Sequence, residues 1–177
     1  MNTTTFDFED GNGPVPAHQH SNGRGWVADT ATVAETAYIG PDARVFGHAR
    51  VFDKARVFGY ARVFNNALVY GKARVYGNAL VYDEAWVYDN AWVYGNAWGY
   101  DNARVYGNAR VYGNAWVFDN ARVYGNAQVF EEARVYDKAW VYDNARVYGN
   151  ARVYDKAWVY DKARVFGCDL VHFFRKN

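Results

Sequence analysis

The feature that most constrains this chain is a repeat of six residues. Every sixth residue from Ala31 to Ala163 is alanine, and an aliphatic residue recurs at the same interval from Val27 to Val171, except at Gly99. The unit typically reads Ala-x-Val-(Tyr or Phe)-(Gly or Asp)-(Asn or Lys), without insertion or deletion in that range. A fixed short period indicates a repeat architecture, in which neighbouring units bury one another.

Each unit predicts one short strand followed by one corner. Small and bulky side chains alternate in the first four residues, so Ala and Val point to one side and the x residue and the aromatic ring to the other. Gly, Asp or Asn comes next, and these residues tolerate the left-handed backbone of a tight corner. Six is not a helical period, and valine and aromatic residues favour strands. We therefore expect an all-β fold with only Ala and Val inside.

The corner residues show how many units close one coil. Sorted by every third unit, they fall into one glycine-rich class, one aspartate-rich class and a mixed class. The first holds Pro41, Gly59, Gly77, Gly95, Gly113, Glu131, Gly149 and Gly167, and the second holds Gly47, Asn65, Asp83, Asp101, Asp119, Asp137 and Asp155. Since the corners differ, three units make a coil. The sequence predicts a triangular parallel β-helix of about eight coils.

The repeat resembles the hexapeptide-repeat family, whose motif runs aliphatic-x-x-x-small-x, as in Ile39-Gly40-Pro41-Asp42-Ala43-Arg44. The resemblance implies a left-handed β-helix, although parallel crossovers are in general right-handed. The segment 18–31 is similar to the entry sequence of bacterial and prophage members, which implies a prophage origin. We expect an irregular N-terminal cap over residues 1–26, the β-helix over 27–167 and a C-terminal cap over 168–177.

The resemblance does not carry an enzyme's residues with it. Many family members are acyl- or acetyltransferases that use acyl-coenzyme A, with a catalytic histidine and projecting loops. Here no loop interrupts the repeats, and His48 is the one histidine inside them. The γ-class carbonic anhydrases need three histidines at a spacing that His18, His20, His48 and His172 do not match. We predict a non-catalytic scaffold or protein-binding rod without a cofactor; the alternative is an acyltransferase with His48 or His172 as base.

The x positions carry mostly arginine and tryptophan. Such pairs stabilise a sheet surface, and we expect each guanidinium to lie beside a Tyr or Phe ring. The same mixture is enriched at protein interfaces and at single-stranded nucleic-acid platforms, so carbohydrate or nucleic-acid binding is a further alternative. The balance of 20 Lys and Arg against 19 Asp and Glu counts against nucleic acid. The binding-surface candidates are Trp86, Trp92, Trp98, Trp116, Trp140, Trp158, Arg104, Arg122, Arg134 and Arg152.

Three further features have a structural and a functional interpretation. One edge carries a row of aspartates, which we expect to cap backbone N–H groups rather than to bind a cation. Gly99 leaves a gap in the valine row, and this predicts a small void rather than a partner-binding level next to three tryptophans. His18 and His20 form a His-x-His pair for which capping is favoured over metal binding. The aspartates are Asp83, Asp101, Asp119, Asp137 and Asp155.

Partners and location are expectations from composition. A single cysteine, Cys168, excludes an internal disulfide. Residues 1–10 show no signal peptide and no apolar run spans a membrane, so we expect a cytoplasmic protein without membrane association. Open sheet edges at both ends invite association, with Phe173 and Phe174 near one of them. We expect a homo-oligomer, either a trimer or an end-to-end dimer, and an unknown protein partner.

Overall fold

The chain folds into a triangular parallel β-solenoid of about eight coils. The computed structural model describes residues 4–167 and 170–171, and these residues contain strands, turns and no helix. Successive coils pair at an offset of three repeat units, so that Arg50 lies beside Leu68 and Val51 beside Val69. The predicted fold class and coil length are confirmed. The left-handed sense of the coil stays a prediction.

Three sheets form the three faces of the rod. The first face consists of Thr32–Val33, Arg50–Val51, Leu68–Val69, Trp86–Val87, Arg104–Val105, Arg122–Val123, Trp140–Val141 and Trp158–Val159. The second face consists of Tyr38–Ile39, Arg56–Val57, Arg74–Gly77, Trp92–Gly95, Arg110–Val111, Gln128–Val129, Arg146–Val147 and Arg164–Val165. The third face consists of Thr5–Phe6, Val15–Gln19, Trp26–Ala28, Arg44–Val45, Arg62–Val63, Leu80–Val81, Trp98–Gly99, Trp116–Val117, Arg134–Val135, Arg152–Val153 and Leu170–Val171.

The interior is a stack of alanine and valine. Ala61, Val63 and their equivalents in the other central coils are almost completely buried, while the aromatic rings stay outside. Gly99 interrupts the valine row between Val81 and Val117. A β-carbon added at this buried glycine meets no atom within 4 Å. The expected void therefore lies inside the core at this level.

The corners combine a left-handed backbone with hydrogen bonds between coils. From Gly47 onward the first corner residue has a positive φ, for example 55° at Asp83 and 72° at Gly95. The Asp137 carboxylate accepts a hydrogen bond from the Asp155 N–H at 3.1 Å, and Asp119 accepts one from the Asp137 N–H at 3.3 Å. Asp therefore caps a backbone N–H as expected, but in the corner one coil further on. This contact joins neighbouring coils along the edge.

The N-terminal cap contains regular strands, so the expectation of an irregular segment is wrong for part of residues 1–26. Thr5–Phe6 pairs antiparallel with Val15–Gln19, which pairs antiparallel with Trp26–Ala28 of the third face. Phe8 packs into a small apolar cluster with Ala17, Ala28 and Phe46. The cap forms strands because the first strand of the third face has an open edge, and pairing satisfies its backbone groups.

At the other end, the sheet extends further than expected. Leu170–Val171 continues the third face beside Arg152–Val153. The remainder of the C-terminal cap predicted over 168–177, with Phe173 and Phe174, lies outside the described residues. Among the described residues, no helix is long and apolar enough to cross a membrane.

Candidate interaction surfaces

A row of stacked aromatic rings runs along each face. On the first face, Tyr88 and Tyr106 have ring centroids 4.8 Å apart and planes 3° from parallel. On the second face Tyr76 and Tyr94 stack at 4.8 Å, and on the third face Phe64 and Tyr82 do the same. Away from the ends of the rows, each ring is thus flanked by the rings of the coils before and after it. A base or sugar that binds by stacking needs a free ring face, so this geometry disfavours the stacking platform considered from the sequence.

Arginine lies on tryptophan within the x rows. Trp92 is placed between the guanidinium groups of Arg74 and Arg110, which lie 4.9 and 4.8 Å from its ring centroid. Arg104 lies 4.6 Å from the Trp86 ring. In these places tryptophan separates or covers charges that strand spacing would otherwise bring together.

Within the part of the chain that the structure describes, the predicted Tyr or Phe partner occurs in the first coils. Arg56 lies over Tyr38 and Phe58, and Arg62 lies over Phe46 and Phe64. Further along the rod the partner is tryptophan, as for Arg122 on Trp140 and Arg134 on Trp116. The pairing of arginine with tryptophan could have been predicted from the repeat, because residues three units apart are neighbours on one face. Arg104 follows Trp86 by that interval, and Arg122 precedes Trp140 by it.

The other predicted surface residues form further contacts along the rod. Trp98 stacks on Trp116 at 5.0 Å on the third face, and Trp140 stacks on Trp158 at 5.6 Å on the first face. Trp158 remains 49% exposed, which makes it one of the most accessible large apolar side chains of the described residues. Arg152 is exposed between Arg134 and Leu170. The three tryptophans of one coil, Trp86, Trp92 and Trp98, lie on three different faces and form no common pocket.

The second face carries a row of arginines that form no ion pair with a carboxylate in the described residues. Ion pairs in the described part of the chain join His18 to Asp29 and Arg44 to Glu9, and neither involves the second face. The x positions of this face contain no acidic residue. The row therefore presents positive charge along the rod. Its members are Arg56, Arg74, Arg110, Arg146 and Arg164.

Burial favours the neutral form of several tyrosines in the aromatic rows. It raises the pKa of Tyr82 to about 12, with a further contribution from neighbouring Tyr100. Burial likewise raises the pKa of Tyr88 and of Tyr124 to about 12, and each has tyrosine neighbours in the same row. A phenol with a raised pKa is a poor general base near neutrality. These groups fit a structural role.

The aspartate row does not assemble a metal site in the described residues. Asp83, Asp101, Asp119, Asp137 and Asp155 lie in one corner of successive coils, as predicted. No group of three His, Cys, Asp or Glu side chains among residues 4–167 is placed to hold a metal ion. Lys138 and Lys156 line the same shallow groove as three of the aspartates and supply countercharge.

The three described histidines, His18, His20 and His48, lie in the N-terminal part of the rod. His48 is exposed at a corner, and its backbone N–H donates to the Asn65 carbonyl at 2.7 Å. His18 Nδ1 lies 2.9 Å from an Asp29 carboxylate oxygen, while buried His20 has Nε2 3.1 Å from the Ala37 carbonyl oxygen. His172, the other candidate base, lies outside the described residues. His18 and His20 thus bond within the N-terminal cap and the first coil.

Sequence reasoning missed the docking of residues 6–9 on the third face. Phe6 stacks on Trp26 at 4.4 Å, and Phe8 stacks on Phe46 at 4.9 Å. Glu9 forms an ion pair with Arg44 at 3.0 Å, and this hydrogen-bonded contact lowers the pKa of the Glu9 carboxyl. The signal was the alternation of aromatic and acidic residues in Phe-Asp-Phe-Glu, which complements a face of arginines and rings.

Comparison with known proteins supports the repeat rather than an activity. No curated protein and no solved structure matches the chain. The model of the family described as YdcK Beta solenoid repeat matches residues 73–88, 100–113, 103–118, 115–131, 139–155 and 145–161. These segments cover less than half of the chain and lie within the coils described above. In them, the chain is similar to the YdcK β-solenoid repeat.

Proposed function

We propose that this protein is a non-catalytic β-solenoid rod that serves as a structural scaffold or protein-binding module. The observation that carries the proposal is the unbroken register of three units per coil along all three faces. Corners of constant length leave no projecting loop between residues 31 and 163. Outward side chains are engaged with their equivalents one coil away, as in the hydrogen bonds from Asn78 to Asn96 and from Asn96 to Asn114 at 3.0 Å.

The second face is the surface that best fits a protein partner. Its arginine row has no carboxylate partner in the described residues, and Tyr and Trp rings surround it. Arginine with tyrosine and tryptophan is the composition enriched at the energetic centres of interfaces. A partner with acidic residues on a flat or extended surface complements this face.

Capture of binding partners by the immobilised rod tests this role. Proteins from the native host are cross-linked and identified by mass spectrometry, in parallel with a variant carrying Arg110→Gln and Arg146→Gln. We expect an acidic partner that the variant retains at least tenfold less, because two cations without a carboxylate partner in the described residues are lost. Tyr60→Ala is the matched control, since Tyr60 is 68% exposed but lies at a corner outside the arginine row.

Titration of the whole chain with acetyl-coenzyme A and longer acyl forms tests the competing role. The proposal expects no heat of binding from any of these molecules. Saturable heat together with acyl transfer to an acceptor would contradict the non-catalytic role. His48→Ala then decides whether the exposed corner histidine takes part.

A further inference from the structure

The coils have a polar direction along the rod. Between neighbouring strands of the first face, the Arg50 N–H donates to the Ala67 carbonyl at 2.9 Å and the Phe52 N–H donates to the Val69 carbonyl at 3.0 Å. The alanine and valine carbonyls of each coil therefore point towards the coil before it. In the first coil these carbonyls have no preceding coil, and they need another donor or water.

On the second face, the N-terminal cap satisfies this edge. The Ala37 carbonyl oxygen accepts a hydrogen bond from Asn22 Nδ2 at 2.9 Å and lies 3.1 Å from His20 Nε2. The Ile39 carbonyl accepts from the Gly25 N–H at 2.9 Å, and the Ile39 N–H donates to the Asn22 carbonyl at 3.0 Å. Ala37 and Ile39 are fully buried as a result.

On the third face, an antiparallel strand of the cap pairs with the first strand of the coils. Val15–Gln19 pairs with Trp26–Ala28, and Thr5–Phe6 pairs with Val15–Gln19 on its outer side. The third face is thus extended by two strands beyond the first coil. Both closed edges are covered by extended or turn backbone of the cap.

The first face has no such cover. The Ala31 carbonyl, the Val33 N–H and the Val33 carbonyl occupy the positions of the capped groups on Ala37 and Ile39, one unit earlier in the repeat. None of the three has a hydrogen-bond partner within the described ranges 4–167 and 170–171. Ala31 and Val33 are also partly exposed, in contrast to Ala37 and Ile39. We name Thr32–Val33 with these three backbone groups the open edge.

A depression lies beside the open edge. Ala34 stands where the following coils carry Phe52 and Tyr70, so the aromatic row of the first face is missing its first ring. The space is lined by Ala34, Thr36, Arg50, Phe52, Leu68 and Tyr70, among others. It has room for a side chain that leaves an added strand on the outer side.

We infer that the open edge binds an extended peptide segment of a partner protein, which adds a strand to the first face. The three backbone groups present an acceptor, a donor and an acceptor, and a strand offers the complementary series. Small aliphatic side chains at alternate positions of the segment cover Ala31 and Val33. This site rests on the proposed binding role of the rod and names its partner class.

The shape of this end favours one strand over a second rod. The cap rises beyond the first coil on the second and third faces, whereas the first face ends at Thr32–Val33. The open edge is therefore the lower part of a step. A second copy brought end to end meets the two caps first, while a single extended segment passes beside them.

A synthetic peptide with the sequence Ala-Arg-Val-Tyr-Gly-Asn, copied from residues 103–108, is the probe. It carries Ala and Val at alternate positions, and a second version is N-methylated on its strand residues. Nuclear magnetic resonance of the full chain monitors the backbone amides during titration. We expect shifts confined to residues 31–36 and their neighbours on the first face, and an apparent Kd at least tenfold weaker for the methylated peptide.

Val33→Pro tests the site from the side of the protein. Proline is tolerated on an edge strand where the N–H is unpaired, so the rod is expected to keep its fold and thermal stability. Loss of the Val33 donor weakens binding of the probe at least tenfold, while Val33→Ala keeps the N–H and most of the affinity. Circular dichroism verifies that both variants are folded.

Three results overturn the inference. Equal binding of the methylated peptide would mean that its backbone adds no strand to the open edge. Shifts along the arginine and tryptophan rows with an unchanged open edge would place the contact on the faces and leave the proposed binding role intact. No shift at any residue up to millimolar peptide would remove the open edge as a binding site. Acyl transfer by the rod would instead contradict the proposed function.

Discussion

Residues at equivalent positions of the repeat have the same role in every coil. A single residue that differs from its equivalents, such as Gly99, therefore shows what that position contributes. Ala and Val occupy the interior because only small side chains fit between three closely spaced faces. Gly99 has the buried place of a valine but fills none of it. The sequence sufficed to predict both the interior and this gap, since each depends on side-chain volume and spacing alone.

We expect Gly99→Val to stabilise the rod. Gly99 has no positive φ, and a β-carbon there meets open space, so valine completes the row between Val81 and Val117 without strain. Burying a valine side chain contributes roughly 1.5–3 kcal/mol. The midpoint of unfolding in guanidinium chloride measures the change in the free energy of unfolding.

A corner glycine provides the matched control for that substitution. Gly107 has a φ of 68°, and an added β-carbon there lies 3.0 Å from the Gly125 nitrogen. Gly107→Val therefore destabilises the rod, by about 1–2 kcal/mol from the left-handed backbone alone. If Gly99→Val lowered the unfolding midpoint as Gly107→Val does, the void would not be a packing defect.

At the scale of elements, coils were predictable from the sequence and the cap was not. A coil follows from local spacing, because every strand of the repeat meets the one three units later. The cap depends on contacts between unrelated segments, such as Arg62 Nη2 donating to the Phe8 carbonyl at 2.7 Å. No period connects these residues, and the sequence alone therefore favoured an irregular segment. The same limit applies to the open edge, which differs from the other two faces because the cap does not cover it.

Phe8→Ala is expected to loosen the N-terminal cap without unfolding the coils. Phe8 is 1% exposed and joins the cap to the aromatic row of the third face through Phe46. Removing a buried phenylalanine costs about 3–5 kcal/mol. Because each coil contacts only its neighbours, the loss is felt mainly at this end. Hydrogen exchange should accelerate in Val15–Gln19 while the central coils keep their protection.

Phe166→Ala serves as the comparison for the cap variant. Phe166 stacks on Tyr148 in the aromatic row of the second face, but it is 56% exposed and lies far from the cap. Its truncation should leave exchange in Val15–Gln19 unchanged. Equal acceleration in both variants would mean that the cap and the coils unfold as one unit.

On the scale of the whole molecule, stability comes from stacking along the axis in three layers: the Ala and Val interior, the aromatic rows and the corner hydrogen bonds. Ring stacking at 4.8 to 5.0 Å runs through most of the coils, so many tyrosines share one environment. The effects of single tyrosines on the stability of the rod therefore add up over the coils. The shared environment also explains why the sequence predicted rows of arginine and tryptophan but did not distinguish one face or one partner: every coil presents similar chemistry.

The rod should lose stability in alkaline solution. Burial raises the pKa of Tyr82, Tyr88 and Tyr124 in the folded chain from 10.0 to about 12. Below pH 10 both folded and unfolded chains keep these protons, and stability is full. Between pH 10 and about 12 the unfolded chain loses them first, which favours unfolding. Denaturant midpoints on either side of pH 10, with tyrosinate absorbance, follow the effect.

Replacing these three tyrosines by phenylalanine separates their contribution from that of other groups. Phe118 and Phe130 already occupy equivalent positions in the rows, so the substitutions fit the stack. The triple variant should lose less stability than the natural chain over the same pH interval. An identical alkaline loss in both proteins would assign it to the other tyrosines of the rows or to lysines instead.

Because three units make one coil, the number of units sets both the length of the rod and the face on which each side chain lies. Deleting one complete coil would shorten the molecule by a single strand spacing, about 4.8 Å, and leave every later side chain on its original face. Deleting one six-residue unit would turn everything downstream by a third of a revolution, so that arginines of one face would follow tyrosines and tryptophans of another. Length in this architecture therefore changes freely only in whole turns, and any surface that a partner reads along the axis is preserved by that step alone.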